Sequence, residues 1–289
     1  MSQLYLHRYK TASRMKKLFL LIAAAFLFFS CTSIPKVPTV AEPVIEKNER
    51  TITAVQVSDA HFSREKPLFE NTIALINSIS PDLLFFTGDQ IDSVKSIEII
   101  DHYFKQITCD CKKFVIFGNW DYLKKLPQEA YVQMLEANGF SVLNNRQEKL
   151  DFDGKLVIVY GVDDLLFGKP SLESFEPEKA AANIVLAHCP PIFDMLGQYS
   201  FPVQMLSGHT HGGQFTFFGS AVYLPDGTGN YYAGYYKNGK NSLYVSTGLG
   251  NSSYDIRNVP PVIEYITITF DENNNFASIN IQPVTVKKD

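Results

Sequence analysis

A chain of 289 residues with 45% apolar, 13% aromatic and 19% charged side chains is long enough to bury a sizeable core and too apolar to stay disordered. Its formal charge is −4, yet the first thirty residues hold Arg8, Lys10, Arg14, Lys16 and Lys17 and no acid, so residues 31–289 set 21 basic against 30 acidic side chains. A body this acidic excludes nucleic acid as a natural partner, because that binding depends on Lys and Arg neutralising phosphates.

Residues 1–30 are expected to be a signal peptide or membrane-targeting leader. Lys16 and Lys17 precede twelve apolar residues, Leu18 to Phe29, followed by Ser30 and Cys31. That layout is secretory, and twelve residues are too few to span a bilayer comfortably. The Ser-Cys junction resembles a bacterial lipoprotein processing site, which implies acylation at Cys31; an uncleaved anchor is the rival. Both place the following domain outside the cytoplasmic membrane, in the bacterial envelope. Met15 is a second candidate start. Residues 31–50, with three prolines and no helical or strand period, are expected to be a lipid-anchored tether.

From residue 51 strands and helices alternate. "TITAVQVS" is a β-branched run, "PLFENTIALINSIS" has helical spacing, and "DLLFFTGD" is a continuous apolar run of the buried-strand kind. A helical stretch from Ser96 to Ile107 precedes the apolar run "KFVIFGN". "LPQEAYVQMLEANGF" reads as a helix closed by Asn138-Gly139. Cys109 and Cys111 lie between the second helix and the third strand, too close in sequence for an easy bridge, so no disulfide is expected there. Strands follow at Lys155 to Tyr160, Asn183 to Ala187, Val203 to Leu206, Leu243 to Ser246 and Val262 to Phe270, some of them separated by turn sequences such as "PDGTGN" and "KNGKN". One α/β domain over residues 51–285, expected to act as a monomer, accounts for the pattern.

Five polar segments each follow an apolar strand-like run: Asp59-Ala60-His61, Gly88-Asp89, Gly118-Asn119-Trp120-Asp121, His188, and Gly208-His209-Thr210-His211. Ligand sites of open α/β sheets gather at the carboxyl ends of strands, so all five can face one place. Four of the five histidines beyond the leader fall in these segments. Carboxylates, imidazoles and an amide oxygen together suit a pair of divalent cations, Mn first, with Fe or Zn as the other candidates.

The series "SDAH", "TGDQ", "GNWD", "AHCP" and "GHTHGGQ" resembles the calcineurin-like metallophosphoesterases, over about residues 52–268. The tail "YVSTGLGNSSYDIRNVPPVIEYITI" is similar to their membrane-associated bacterial branch, which includes phosphodiesterases related to UDP-2,3-diacylglucosamine pyrophosphatases. The resemblance implies a four-layer α/β/β/α sandwich with two mixed sheets and a dinuclear metal site at the strand carboxyl ends. It assigns Asp59, His61 and His211 to one metal, Asn119, His188 and His209 to the other, and Asp89 as the bridge. It implies hydrolysis by a metal-bound hydroxide attacking phosphorus, with Asp89, Asn119, His188 and Asp121 taking part in catalysis.

One position departs from the family. Trp120, the chain's only tryptophan, stands where the family usually has a histidine that protonates the leaving oxygen or binds the phosphate. Indole offers one N–H donor and no titrating acid near neutrality. The expected substrate is therefore one that needs little acid assistance, a phosphodiester or pyrophosphate that is nucleotide- or lipid-linked; a UDP-2,3-diacylglucosamine pyrophosphatase activity fits, although such precursors are made on the cytoplasmic side. A metal-containing binding lipoprotein without turnover is the competing expectation. Trp120 and Arg257 are the candidate substrate contacts, Arg257 through its planar guanidinium.

Overall fold

The computed structural model describes residues 43–45, 47–63, 66–123, 126–252 and 256–289. The expected leader, Cys31 and the tether up to residue 42 lie outside the described residues. Among those described, no helix is long and apolar enough to cross a membrane.

Two six-stranded sheets stack face to face. The first has the order β14 (Phe276–Thr285), β13 (Val262–Phe270), β1 (Thr51–Val57), β2 (Leu83–Thr87), β3 (Lys112–Ile116), β4 (Phe140–Val142). Strands β1 to β4 run parallel, and β13 lies antiparallel to both β1 and β14. The second sheet has the order β11 (Gly234–Asn238), β12 (Asn241–Val245), β8 (Gln204–Ser207), β7 (Ala182–Leu186), β6 (Lys155–Gly161), β5 (Arg146–Phe152). Its parallel centre is β12, β8, β7 and β6, with β5 and β11 antiparallel at the edges. A short hairpin, β9 (Thr216–Phe217) with β10 (Ser220–Ala221), stands apart.

The period of two in the strands decides the layering. Ile52 and Ala54 of β1, Leu83 and Phe85 of β2, and Phe114 and Ile116 of β3 face Val157, Val159, Ile184, Leu186 and Leu206 of the second sheet. The alternate residues Val55, Val57, Leu84, Phe86 and Val115 face α1 (Pro67–Ile79), α2 (Ile97–Phe104) and α4 (Gln128–Ala137) through Phe69, Ile73, Phe104 and Tyr131. Each large side chain buried this way contributes about 1.5–3 kcal/mol relative to exposure. The outer face of the second sheet is covered by Leu172, Phe175, Phe193 and Leu196, which lie in the β6–β7 loop and a 3₁₀ segment, Pro190–Gln198. The fourth layer is thus thinner than the helical layer opposite.

Several sequence expectations change in detail. The α2 helix is shorter than Ser96 to Ile107. α4 does end at Asn138 and Gly139, the latter at φ 81°. Edge strands β5 and β14 and the end of β11 carry many polar, solvated residues, so no apolar run announces them. Cys109 and Cys111 are joined in a disulfide, which corrects the expectation of none: their segment sets the Cα atoms 5.4 Å apart, within the bridging range.

Candidate metal centre

The parallel strands deliver five loops to one end of the sandwich. Asp59 and His61 follow β1, Asp89 follows β2, Asn119 opens α3 (Asn119–Leu123) just after β3, His188 follows β7, and His209 and His211 follow β8. All seven side chains are buried. A polar link across the sheets fixes the two halves beneath them: Gln56 Nε2 donates to Thr87 Oγ1 at 2.9 Å and to the Ser207 carbonyl at 3.1 Å. The loops are also stitched through the backbone, with Asp59 N–H donating to the Gly88 carbonyl and Gly250 N–H to the Asp59 carbonyl.

Asp59, His61 and His211 form one convergent group, and Asp59, Asp89 and His188 a second. His211 Nε2 lies 3.4 Å from Asp59 Oδ1 and 3.2 Å from His61 Nε2. Asp89 Oδ2 lies 3.3 Å from His188 Nε2 and 3.7 Å from His61 Nε2, which places it between the two groups. His209 stands beside the second group, with Nδ1 3.0 Å from Asn119 Oδ1. His209 and His211, one residue apart, therefore address opposite ends of the cluster. Glycine is required where these loops cross: a Cβ on Gly118 would collide with Asp89 Oδ1, and one on Gly208 with Ser58 Oγ and Asp59 Oδ2.

The hydrogen bonds behind the imidazoles set which nitrogens face inward. His188 Nδ1 donates to the Thr87 carbonyl at 2.9 Å, which leaves Nε2 to face two carboxylates with either a proton or a metal ion between them. His209 Nε2 donates to the Asp226 carbonyl at 2.6 Å, which turns the Nδ1 lone pair toward the Asn119 oxygen. Nitrogen and oxygen atoms facing one another at these distances need a proton or a metal ion between them. The donor set, buried and mixed in nitrogen and oxygen, fits divalent metals.

Electrostatics agree with that fit. Burial lowers His61, His209 and His211, the last to about 3 with His61 and the Arg257 guanidinium adding to the effect, so these three present neutral imidazoles. Burial would also lower His188, but Asp89 and Asp59 outweigh it and raise the group to about 10. Burial would raise Asp59 and Asp89, and the neighbouring histidines more than reverse this, holding both carboxylates ionised. The field that keeps a proton on His188 is the field that holds a metal ion.

Five of the seven residues have left-handed backbone: Asp59 (φ 53°), His61 (47°), Asp89 (54°), His209 (73°) and His211 (52°). That conformation costs roughly 1–2 kcal/mol per non-glycine residue. All five are Asp or His, which enter this region more readily than other side chains. Ser58 was missed, although it adjoins the "DAH" segment; its hydroxyl donates to Asp59 Oδ2 at 2.6 Å and fixes that carboxylate's rotation.

Other candidate residues take different places. Asp121 is fully buried, and its Oδ2 accepts the N–H groups of Gly118 and Asp89 at 2.8 and 2.9 Å. It shapes the Asp89 loop from beneath and does not reach the cleft; burial, with Asp89 nearby, raises it well above the usual carboxylate range. Arg257, expected to hold a substrate phosphate, is corrected to a structural clasp. Its guanidinium donates to the carbonyls of Thr247, Gly248, Gly250 and Val259 and approaches His211 Nδ1 at 3.3 Å, so its donors are occupied. Trp120 does line the cleft. Its ring meets His61 edge-on at 5.0 Å, and its backbone N–H donates to Asp89 Oδ1 at 2.8 Å. The cleft, about 210 Å³, is bounded further by Asn119, His209, Gln214 and Tyr223.

Residues 52–213 match the family described as calcineurin-like phosphoesterase. The uncharacterized metallophosphoesterase YkuE of Bacillus subtilis is 33% identical over 214 residues, 70% of this chain and 73% of that protein. Phosphodiesterase YaeI of Escherichia coli is 28% identical over 209 residues, 70% and 76% of the two chains. UDP-2,3-diacylglucosamine pyrophosphatase LpxG of Chlamydia trachomatis is 25% identical over 217 residues, covering 55% and 63%. With the strand-end cluster and the match over more than half its length, the chain belongs to the calcineurin-like phosphoesterase family and is a metal-dependent phosphoesterase.

Proposed function

We propose that this phosphoesterase cleaves a phosphodiester or a phosphoanhydride whose leaving group departs without a protein acid, at the outer face of a bacterial membrane. The observation that carries this reading is Trp120 at the cleft with Asp121 locked beneath it. Among the described residues, the titratable side chains lining the cleft are Asp89, His209, His211 and, at the rim, the phenol of Tyr223. With the first three committed to cations, no carboxylic acid or imidazole among the described residues remains to protonate an alkoxide. An aryl oxide or a phosphate leaves with far less help.

In this reading Asp59, His61 and His211 hold one divalent cation, Asn119, His188 and His209 the other, with Asp89 between them. Manganese, iron and zinc each fit a mixture of carboxylate and imidazole donors, and manganese is the one proposed here. Two such cations supply Lewis-acid activation of water and neutralise charge developing on the phosphoryl group. The chain's own part is to orient. Ser58 and the His209 N–H fix the Asp59 carboxylate, Thr87 and Asp226 set the imidazole tautomers, and Asp121 places Asp89. A lipid-linked pyrophosphate is the favoured substrate class within this reading. The likeness to LpxG and an apolar rim that includes Tyr223 support it. The apolar leader with Cys31 supports placement in the envelope.

A leaving-group series tests the proposal. Metal-reloaded protein should turn over p-nitrophenyl diesters readily and fall steeply toward alkyl esters. Trp120→His should raise alkyl-ester hydrolysis by about 10²-fold or more, the range for a restored general acid. Unsubstituted protein that cleaves alkyl monoesters as fast as the Trp120→His variant would overturn it, and bound metal with no turnover of any ester would favour the non-catalytic reading.

A further inference from the structure

Immediately after the His209 and His211 loop, the β9–β10 hairpin projects a set of apolar side chains into solvent. Phe218 is 90% exposed and Tyr223 72%, with Phe215, Phe217, Val222 and Ile256 exposed beside them. The hairpin turns through two residues, Phe218 and Gly219, both in the left-handed region at φ 49° and 80°. Two-residue turns of this kind favour Asn, Asp or Gly at the first position. Phenylalanine there is disfavoured by the backbone and again by water, so folding gives no reason for it.

The hairpin is held firmly. Asn258 accepts from Thr216 N–H and donates back to the Thr216 carbonyl, and Gln214 binds the Ser252 N–H and the Ile256 carbonyl. From Ser207 to Pro225 there is no Asp, Glu, Lys or Arg. Gln214, Tyr223 and Pro225 also line the metal cleft, so the apolar lip and the cleft are continuous. Leu166 and Phe167 are exposed as well, and Leu166 packs at Gly227, which borders His209.

We propose that the Phe215–Tyr223 hairpin is a membrane-contact lip that inserts Phe217 and Phe218 among lipid acyl chains and opens the metal cleft toward the bilayer surface. A narrow, uncharged, convex tip suits fluid lipid. A stable protein interface needs a surface of about 800 Å² per partner, whereas two aromatic rings and a tyrosine at headgroup depth need none. The lip is neutral, so its insertion does not depend on anionic lipid. The chain enters β1 at the end of the sheet away from the cleft.

This inference rests on the envelope placement proposed above but not on the chemistry of the cleft. Its test uses the full-length chain with vesicles of phosphatidylethanolamine and phosphatidylglycerol, floated to measure association. Trp120 is the single native tryptophan, and its signal in the unsubstituted protein is the baseline. Phe218→Trp emission should shift to the blue and lose at least half its intensity when the acyl chains are brominated. Val222→Trp should follow with a smaller loss. Asn273→Trp, in the exposed β13–β14 turn at the far end, should be unaffected. A floating protein whose Phe218→Trp is not quenched overturns the lip and leaves the envelope placement standing. A chain that does not float overturns both. A blue shift that appears without vesicles and grows with protein concentration assigns the tip to a second copy, and the lip fails.

Discussion

The strand-end loops and the β9–β10 hairpin both hold non-glycine residues in left-handed backbone, and they differ in what offsets that cost. Around Asp59, His61, Asp89, His209 and His211 the offset lies inside the molecule, in burial, paired carboxylates and imidazoles, and backbone hydrogen bonds between loops. At Phe218 the ring meets Phe217 at 4.4 Å and is otherwise almost wholly in water, so little inside offsets it. Local strain marks function in both places. The buried case points to a ligand the chain encloses, and the exposed case to one it meets outside.

The clasp is where the comparison breaks most severely. Arg257→Met takes the guanidinium from the carbonyls of Thr247, Gly250 and Val259, while the Gly248 carbonyl keeps the Val262 N–H. Stability should fall by about 3 kcal/mol or more, each orphaned group costing roughly 1–3 kcal/mol. Because the same loop packs on Asp59, metal affinity should drop about 10- to 100-fold, the usual effect of losing a ligand's support. Calorimetry of metal binding and urea unfolding read the two effects separately.

A buried carboxyl near the cluster gives an intermediate effect. Glu264 on β13 pairs in register with Gln56 and is fully buried, and burial raises it to about 8. Between its ordinary value of 4.5 and about 8, the unfolded chain has lost this proton while the folded chain keeps it. Stability from this group is thus complete below pH 4.5, falls as pH rises by about 1.4 kcal/mol per unit, and stops falling above the folded value. Glu264→Gln should flatten the slope of the urea midpoint between pH 5 and 8.

The smallest effect sharpens the contrast most. Phe218→Asn relieves the backbone and removes an exposed ring, so it should stabilise the domain in water by about 1 kcal/mol, seen as a rise of roughly 2–4 °C in Tm. His61→Asn, at nearly the same φ, should destabilise, because the imidazole's partners are buried with it.

Much of the fold was legible because its parallel strands are buried on both faces and read as unbroken apolar runs, "DLLFFTGD" above all. Edge strands such as β5, "RQEKLDF", were not, since a strand half in water has no such run. The seven clustered residues could be picked from the chain because each directly follows a run that ends at the same side of a sheet. Arg257 was misread for a physical reason: a guanidinium is suited to phosphate, but here a turn supplies backbone carbonyls that the residue types do not reveal. The aromatic run "FTFFGSAVYLP" fits a lipid-facing lip and half-buried strand packing equally as a sequence, and the φ and exposure of Phe218 separate the two.

The most direct test of the account is the metal content and diesterase activity of the Asp89→Asn variant beside the unsubstituted chain, both stripped and reloaded with Mn²⁺. Asp89 lies between the two ligand groups, so the account predicts two ions per chain in the unsubstituted protein, fewer than two in the variant, and a loss of bis-p-nitrophenyl phosphate hydrolysis of about 10²- to 10³-fold or more. A variant that keeps two ions and full turnover would contradict it.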